Sequence, residues 1–336
     1  MDSFKAYRIH TSESGAAGRY EQLTLDDIDS GDVVIRTAYS AVNYKDAMAA
    51  HGIGKNIRAD PPCVGGVDMS GVVLESADAN CRPGDPVIVT NFALGASHDG
   101  GYAEIVRVPA DWIVPLPDGM TLRDAMGLGS AGLTAALATE RLEAAGLTPD
   151  AGPVAVSGAT GAVGSLAVDI LAKRGYRVTG ITGKDDQHDY LRRIGAADVL
   201  SRHTLEFDKR MLAATRWAGA VDTVGMDMLD WLTKTMQFHG RVAVCGGAAG
   251  FGLETNVLPF ILRAVDYLGV NITRSLSREK RLALWQSLVG EMRPNHLDDI
   301  IRVIPFDALP QAFDDLVAAK VTGRIVVEIG GETPIP

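Results

Sequence analysis

The stretch Gly152–Gly175, GPVAVSGATGAVGSLAVDILAKRG, constrains this chain more than any other. Val154–Val156 is a short apolar, β-branched run that reads as a buried strand. Gly158, Gly161 and Gly164 follow in a glycine-rich turn. Val163, Leu166, Ala167, Ile170 and Leu171 then recur at helical spacing, and Gly175 supplies a helix stop. A strand, a tight turn and a helix start bring backbone N–H groups close to a pyrophosphate, and the helix dipole favours that anion. Against the usual G-x-G-x-x-G spacing, Ala159 stands in the first glycine's place, giving A-x-G-x-x-G over Ala159, Gly161 and Gly164. A glycine pattern alone is weak evidence. Its place between a strand and a helix favours dinucleotide binding over a plain βα turn.

Strands are expected at Val154–Val156, Arg177–Thr182, Val199–Leu200, Ala220–Val224, Arg241–Cys245 and Tyr267–Ile272, with helices between them. That rhythm predicts an α/β fold with a doubly wound parallel sheet. Residues 1–120 have another texture. Runs such as Asp32–Ser40, Cys63–Glu75, Arg82–Thr90 and Gly100–Val108 read as strands broken by Gly and Pro turns, in a mostly antiparallel β domain. Leu122–Thr139 is an Ala/Leu-rich helix linking the two. After Ile272 come a helix (Arg278–Met292), a strand (Val303–Pro305), a helix (Leu309–Lys320) and a strand (Gly323–Ile329), a tail expected to pack back onto the first domain. The expected division is 1–121 and 274–336 for the β domain and 122–273 for the cofactor domain.

The 336 residues allow about two domains with ample core. A net charge of −10 argues against a nucleic-acid partner. The opening MDSFKAYRIH has no apolar signal-peptide core, and no apolar run reaches the roughly 18 residues of a membrane span. Cys63, Cys81 and Cys245 are far apart and odd in number, so a reducing, cytoplasmic compartment is the expectation.

The second strand of the parallel sheet ends at Ile181-Thr182-Gly183-Lys184. An NAD site places a carboxylate about 20 residues past the glycine turn, and none stands at this tip. Thr182 and Lys184 suit a 2′-phosphate instead, with Gly183 giving close backbone approach and Arg202 a second cation. This predicts NADPH. Asp185 and Asp186 read as caps of the next helix. A zinc dehydrogenase would need Cys, His or Glu ligands. Asn43-Tyr44-Lys45-Asp46 and Gly65-Gly66-Val67-Asp68 stand where ligands would be expected, so metal-free chemistry is predicted.

Together VNYKDA, SGATGAVG, TGK, AVDTVG, VLPFILR and the terminal GR resemble the zinc-independent branch of the medium-chain dehydrogenase/reductases, over nearly the whole chain. Within it the likeness is to quinone-oxidoreductase-like proteins of the acrylyl-CoA reductase type. The resemblance implies a GroES-like β catalytic domain and a Rossmann cofactor domain. It places Tyr44 at the nicotinamide, against the plain alternative of a packed aromatic. Asn43 and Asp46 hold the loop and helix start, and Lys45 is read as exposed. Thr160, Gly161, Ala162 and Val163 would face the pyrophosphate, with Thr182, Gly183, Lys184 and Arg202 around the 2′-phosphate. Gly247 would line the nicotinamide side, and Ile261 and Ile272 would add cofactor contacts unless they are ordinary core. Arg324 would reach the cofactor unless it is a solvated edge-strand arginine. Thr90-Asn91-Phe92-Ala93 replaces a Trp-containing loop of some relatives, which leaves acyl specificity open.

The implied reaction is hydride transfer from NADPH to the β-carbon of an α,β-unsaturated acyl-CoA, acrylyl-CoA to propionyl-CoA, with the α-carbon protonated by Tyr44 or water. Arg58, Arg274, Arg278, Lys280 and Arg281 are candidates for the CoA phosphates, against the alternative of a solvated charged face. An NADPH:quinone or enone reductase is the alternative, and a non-catalytic nucleotide-binding protein the third reading. Relatives pair through the last Rossmann strand, so a homodimer is expected.

Overall fold

The computed structural model describes residues 3–12, 15–54, 57–207, 210–273 and 275–331. Strands β1 (Phe4–Ser12) and β2 (Gly15–Leu23) form an antiparallel hairpin. β3 (Val33–Val42) is buried along nearly its whole length, as its Val, Ile and Ala content requires. Then come α1 (Tyr44–Ala50), β4 (Cys63–Val64), β5 (Asp68–Ser76), β6 (Pro86–Thr90), β7 (Ile105–Val108), β8 (Val114–Pro115) and α2 (Leu122–Ala144). The alternating part runs β9 (Val154–Ser157), α3 (Ala162–Lys173), β10 (Val178–Thr182), α4 (His188–Arg193), β11 (Asp198–Ser201), β12 (Trp217–Asp222), α5 (Met226–Thr235), β13 (Met236–Val244), α6 (Leu258–Arg263) and β14 (Asp266–Gly269). The tail holds α7 (Arg278–Val289), α8 (Leu297–Ile300), β15 (Ile301–Pro305), α9 (Leu309–Val317) and β16 (Arg324–Glu328).

The chain divides into two units. The first takes 1–130, 273–282 and 301–336. It contains a sheet β2-β1-β4 and a larger sheet β15-β16-β3-β5-β6-β8, with β7 also on β3. Its pairings are antiparallel except β15 on β16. Tyr102, Phe313, Ile9, Ile35 and Met69 are among its fully buried side chains, and removing that apolar area from water is the main stabilising term.

The second unit takes 131–272 and 283–300. Its six strands are all parallel, in the order β11-β10-β9-β12-β13-β14. The order reverses between β9 and β12, and ligands of such sheets bind beyond the strand C-termini at that point. Ser157 and Asp222, at the ends of these two strands, are joined by a 2.5 Å hydrogen bond from hydroxyl to carboxylate. Burial pushes the Asp222 carboxyl up despite hydrogen bonds from Ser157 and the N–H groups of Val224 and Gly225.

The tail departs from expectation. It does not return whole to the first unit, because residues 283–300 belong to the second. Asp169, 1% exposed on α3, is one physical reason, beside the burial of Trp285 and Leu288. Its carboxylate accepts the backbone N–H groups of Asn295 (3.0 Å) and His296 (2.7 Å), capping the entry to α8. Lys173 adds a hydrogen bond to the Arg293 carbonyl and Arg174 an ion pair to Glu291. The expected last Rossmann strand is also shorter: β14 ends at Gly269, so Ile272 lies beyond it.

Candidate active site

Each unit carries one group of candidate functional side chains. In the second unit, β9 ends in a turn that Gly158 enters with φ +57°, and α3 starts after Gly161. Gly164 lets the helix close on the strand: a Cβ there would strike the Gly158 carbonyl and lie 2.7 Å from the Ala159 Cα. The N–H groups of Ala162 and Val163 lie in the first turn, where no intrahelical acceptor exists. This is the geometry of an anion cradle.

At the neighbouring tip the Thr160 and Thr182 hydroxyls bond each other at 3.0 Å, and Thr182 Oγ1 accepts the Lys184 N–H at 3.0 Å. The two threonines thus tie the β10 tip to the glycine turn. Gly183 lies under the Arg202 guanidinium, where a Cβ would come within 2.9 Å of Nη2, and its carbonyl meets His203 Nε2 at 3.1 Å. Partial burial lowers the Lys184 pKa, against the pull of Asp186. Thr182, Gly183, Lys184 and Arg202 are therefore brought together, and His203 joins them unforeseen. Asp185 and Asp186 are not helix caps: they lie inside a short 3₁₀ turn, and Gln187 precedes α4. Gly247 sits in the loop after β13, packed on Phe251 and the Gly250 carbonyl, with that loop hydrogen-bonded to the carbonyls of Thr223 and Val224. Ile261 is 68% exposed, which rules out ordinary core, whereas Ile272 is buried.

In the first unit Asn43 and Asp46 form a capping box around the start of α1. Asp46 Oδ2 accepts the Asn43 N–H (2.9 Å) and amide (3.1 Å), and Oδ1 the Val67 N–H (3.2 Å). The Asn43 amide also reaches Asp68 Oδ2 at 2.9 Å. Arg324 pairs with Asp68 Oδ2 at 2.7 Å, both side chains fully buried. Its remaining donors reach Asn43 Oδ1 (2.7 Å) and the Val42 and Met126 carbonyls. The solvated edge-strand alternative for Arg324 is thus corrected. β16 lies between β15 and β3, so this is no edge-strand arginine, and each guanidinium nitrogen is hydrogen-bonded within the protein.

The turn at Gly129 completes the cluster. Its φ of +46° breaks α2 and frees the Ser130 N–H for Asp68 Oδ2 at 3.1 Å. A Cβ at Gly129 would strike the Arg324 guanidinium and lie 2.8 Å from Asp68 Oδ2. The Ser130 hydroxyl donates a short hydrogen bond to Asp68 Oδ1 and accepts the Asn91 amide at 2.6 Å. Lys45 is corrected too: it is half-buried, with Nζ donating to Asn91 Oδ1 at 2.7 Å. Tyr44 is 44% exposed beside it.

The CoA-phosphate candidates fare differently. Arg281 is fully buried, stacked 4.4 Å over Phe92 and bonded to Thr90 and Thr273, and burial pulls its pKa down to about 10. Arg58 is committed to Asp29 and Asp99. Arg278 is exposed, with Nη1 on the Ile113 carbonyl. Arg274 lies outside the described residues. Among the described residues no group of three or more His, Cys, Asp or Glu side chains is placed to hold a metal, and no helix is long and apolar enough to cross a membrane.

The two carboxylates titrate in opposite directions. Burial raises both, but at Asp68 the Arg324 guanidinium and the Ser130 and Asn43 hydrogen bonds outweigh it and hold the pKa below the ordinary value. At Asp46 burial prevails over Lys45 and Asn43, and the pKa rises to about 6. A raised carboxyl pKa means the folded state binds the proton more tightly. The cost of ionising Asp46 is therefore present above about pH 6 and is lifted as pH falls toward the unfolded value. Compared with Asp46→Asn, the native protein is expected to gain about 1 kcal/mol from about pH 7.5 to about pH 5.5. Urea midpoints at both pH values measure this, and parallel pH dependences for the two proteins would contradict it.

Comparison with known proteins places this geometry. Residues 29–118 match the alcohol dehydrogenase GroES-like domain family, and residues 162–287 the zinc-binding dehydrogenase family. Acrylyl-CoA reductase AcuI of Ruegeria pomeroyi is 41% identical over 310 residues, covering 92% of this chain and 93% of that protein. YhfP of Bacillus subtilis, provisionally named a quinone oxidoreductase, is 38% identical over 328 residues, 97% and 99% of the two chains. Its crystal structure with NAD bound has a TM-score of 0.93. The crystal structure of Escherichia coli K-12 YhdH with bound NADPH has a TM-score of 0.93 at 37% identity, covering 97% of this chain and all of that one.

Proposed function

Because the chain belongs to the family of these acrylyl-CoA reductase and quinone-oxidoreductase-like proteins, within the medium-chain dehydrogenase/reductases, we propose that it is an NADPH-dependent oxidoreductase reducing the C=C bond of an α,β-unsaturated acyl-CoA. Acrylyl-CoA, giving propionyl-CoA, is the substrate its relatives' names favour. The observation that carries the cofactor choice is the β10 tip, where Arg202 lies over Gly183 beside Lys184 and no carboxylate stands on the strand end. NADPH fits this chain: the first turn of α3 leaves the Ala162 and Val163 N–H groups without intrahelical acceptors for a pyrophosphate, and the cations suit the 2′-phosphate. When bound, it supplies the hydride.

The chain's own residues then hold and orient. Ala162 and Val163 offer N–H groups to the pyrophosphate, and Thr160 and Thr182 keep the turn and the strand tip in register. Gly247, Ile261 and Ile272 line the nicotinamide side. Asn43 and Asp46 fix the start of α1, which presents Tyr44. The Tyr44 hydroxyl bonds no described residue and is the acid available to the α-carbon. β14 closes one side of the parallel sheet with its outer edge unpaired among the described strands, supporting a homodimer through that edge. The unpaired cysteines support a cytoplasmic setting.

NADPH oxidation at 340 nm with acrylyl-CoA, crotonyl-CoA and a simple quinone, repeated with NADH, tests the reading. Preference for acrylyl-CoA with NADPH is expected. Turnover of quinone alone would move the protein to the quinone reductase reading, which YhfP's name favours. No turnover despite tight NADPH binding would leave a nucleotide-binding protein.

A further inference from the structure

Tyr44 and Asn43–Asp46 do not exhaust the start of α1. Lys45 stands between them, and its surroundings are built. Its Nζ donates to Asn91 Oδ1 (2.7 Å), the Asn91 amide donates to Ser130 Oγ (2.6 Å), and the Ser130 hydroxyl donates to Asp68, which Arg324 neutralises. Every donor in this row points toward Asp68, so the amide orientation of Asn91 is determined: its carbonyl oxygen must face Lys45. Asn91 and Phe92 both hold positive φ (+62° and +53°), a costly backbone for consecutive non-glycine residues. A stack of Arg281 over Phe92 (4.4 Å) and Phe92 on Trp112 (5.4 Å) holds that turn in place. Asn91 is also 2% exposed. Lys45 is thus the half-buried outer end of a buried row, with two of its three ammonium protons bonded to no described residue.

From this arrangement we infer that Lys45 is the cation that receives the substrate's carbonyl oxygen, with Asn91 as its positioning residue. The inference rests on the proposed reduction of an α,β-unsaturated carbonyl compound. As the hydride's electron pair forms the new C–H bond at the β-carbon, the C=C π pair shifts to join the α-carbon to the carbonyl carbon. The carbonyl π pair ends on oxygen as an enolate. Lys45 donates an N–H hydrogen bond to that oxygen and keeps its proton. The α-carbon proton comes separately, from Tyr44 or water. A held cation aimed at charge that develops only in the transition state lowers the barrier more than it tightens substrate binding.

The test compares the native protein with Lys45→Met, Lys45→Arg, Asn91→Gly and the double variant Lys45→Met/Asn91→Gly. Glycine tolerates the positive φ, so Asn91→Gly removes the amide without straining the turn. Hydride transfer is followed by single-turnover absorbance with saturating NADPH and the enoyl thioester that the native protein turns over. Lys45→Met is expected to slow this step about 100- to 1,000-fold with NADPH affinity unchanged, and Lys45→Arg to recover part of it. Asn91→Gly should cost less, and nothing further once Lys45 is gone. A readout free of turnover uses NADP⁺ and ¹³C=O-labelled substrate. The carbonyl stretch should shift to lower wavenumber in the native protein and Lys45→Arg, and return toward its solution value in Lys45→Met. Native turnover that survives Lys45→Met within about threefold, or an unmoved carbonyl band, overturns the role of Lys45 alone. No native turnover of any enoyl thioester overturns the proposed function and this inference together.

Discussion

Arg324→Met is expected to cost about 3–5 kcal/mol of stability, because it strands the Asp68 carboxylate, fully buried, without its counter-charge. Both side chains are fully buried, and Arg324 is the cation in direct ion-pair contact with Asp68. The Asn43 and Ser130 hydrogen bonds to Asp68 remain in the variant, but neutral donors do not replace an ion pair at low dielectric. The variant also leaves Asn43 Oδ1 and the Val42 carbonyl without their donor. Urea denaturation monitored by tryptophan fluorescence reads the loss. Arg324→Met/Asp68→Asn should regain a large part of it by removing the stranded charge. A single variant that loses less than about 1 kcal/mol would mean that water reaches Asp68 and that the cluster is not sealed.

The second large effect concerns the cofactor. Lys184→Ala/Arg202→Ala is expected to weaken NADPH binding about 100-fold and to leave NADH binding within about threefold, the loss of two charge-assisted contacts to one phosphate. Arg202 is exposed, so its share should shrink as salt rises. Titration of nicotinamide fluorescence with each cofactor, at low and high salt, measures both. Equal losses for NADPH and NADH would mean that the pair supports the strand tip and does not read the 2′-phosphate. Unchanged NADPH affinity would place the 2′-phosphate elsewhere.

Much of this molecule is local, and local features are legible in a sequence. Val154–Val156, the glycine turn and the α3 stripe lie within one short stretch, and each obeys its own periodicity or turn rule, so their reading needs no distant partner. The same holds for the six parallel strands, although their ends shift by a few residues, and for the missing carboxylate at the β10 tip. Asn43 and Asp46 are three positions apart, the spacing of a capping box, and they do cap α1.

The partners across long sequence distances were decided by tertiary structure. Asp68 and Arg324 each stand at the start of a strand whose next residues are mostly apolar, and a charge buried there demands a partner. That signal is present in the sequence, but it does not name the partner across 256 residues. Lys45 read as exposed because no rule of spacing joins it to Asn91, a residue 46 positions on in a left-handed turn. The split of the tail is held in part by one carboxylate, Asp169, whose place on α3 looks like any helix polar residue until α8 arrives beside it. Sequence by itself determined the periodic elements, the glycine turn and the strand tip without a carboxylate, because these are set by residues that are chain neighbours. Only the folded chain decided which buried charges meet, because burial makes pairing obligatory and topology chooses the pair.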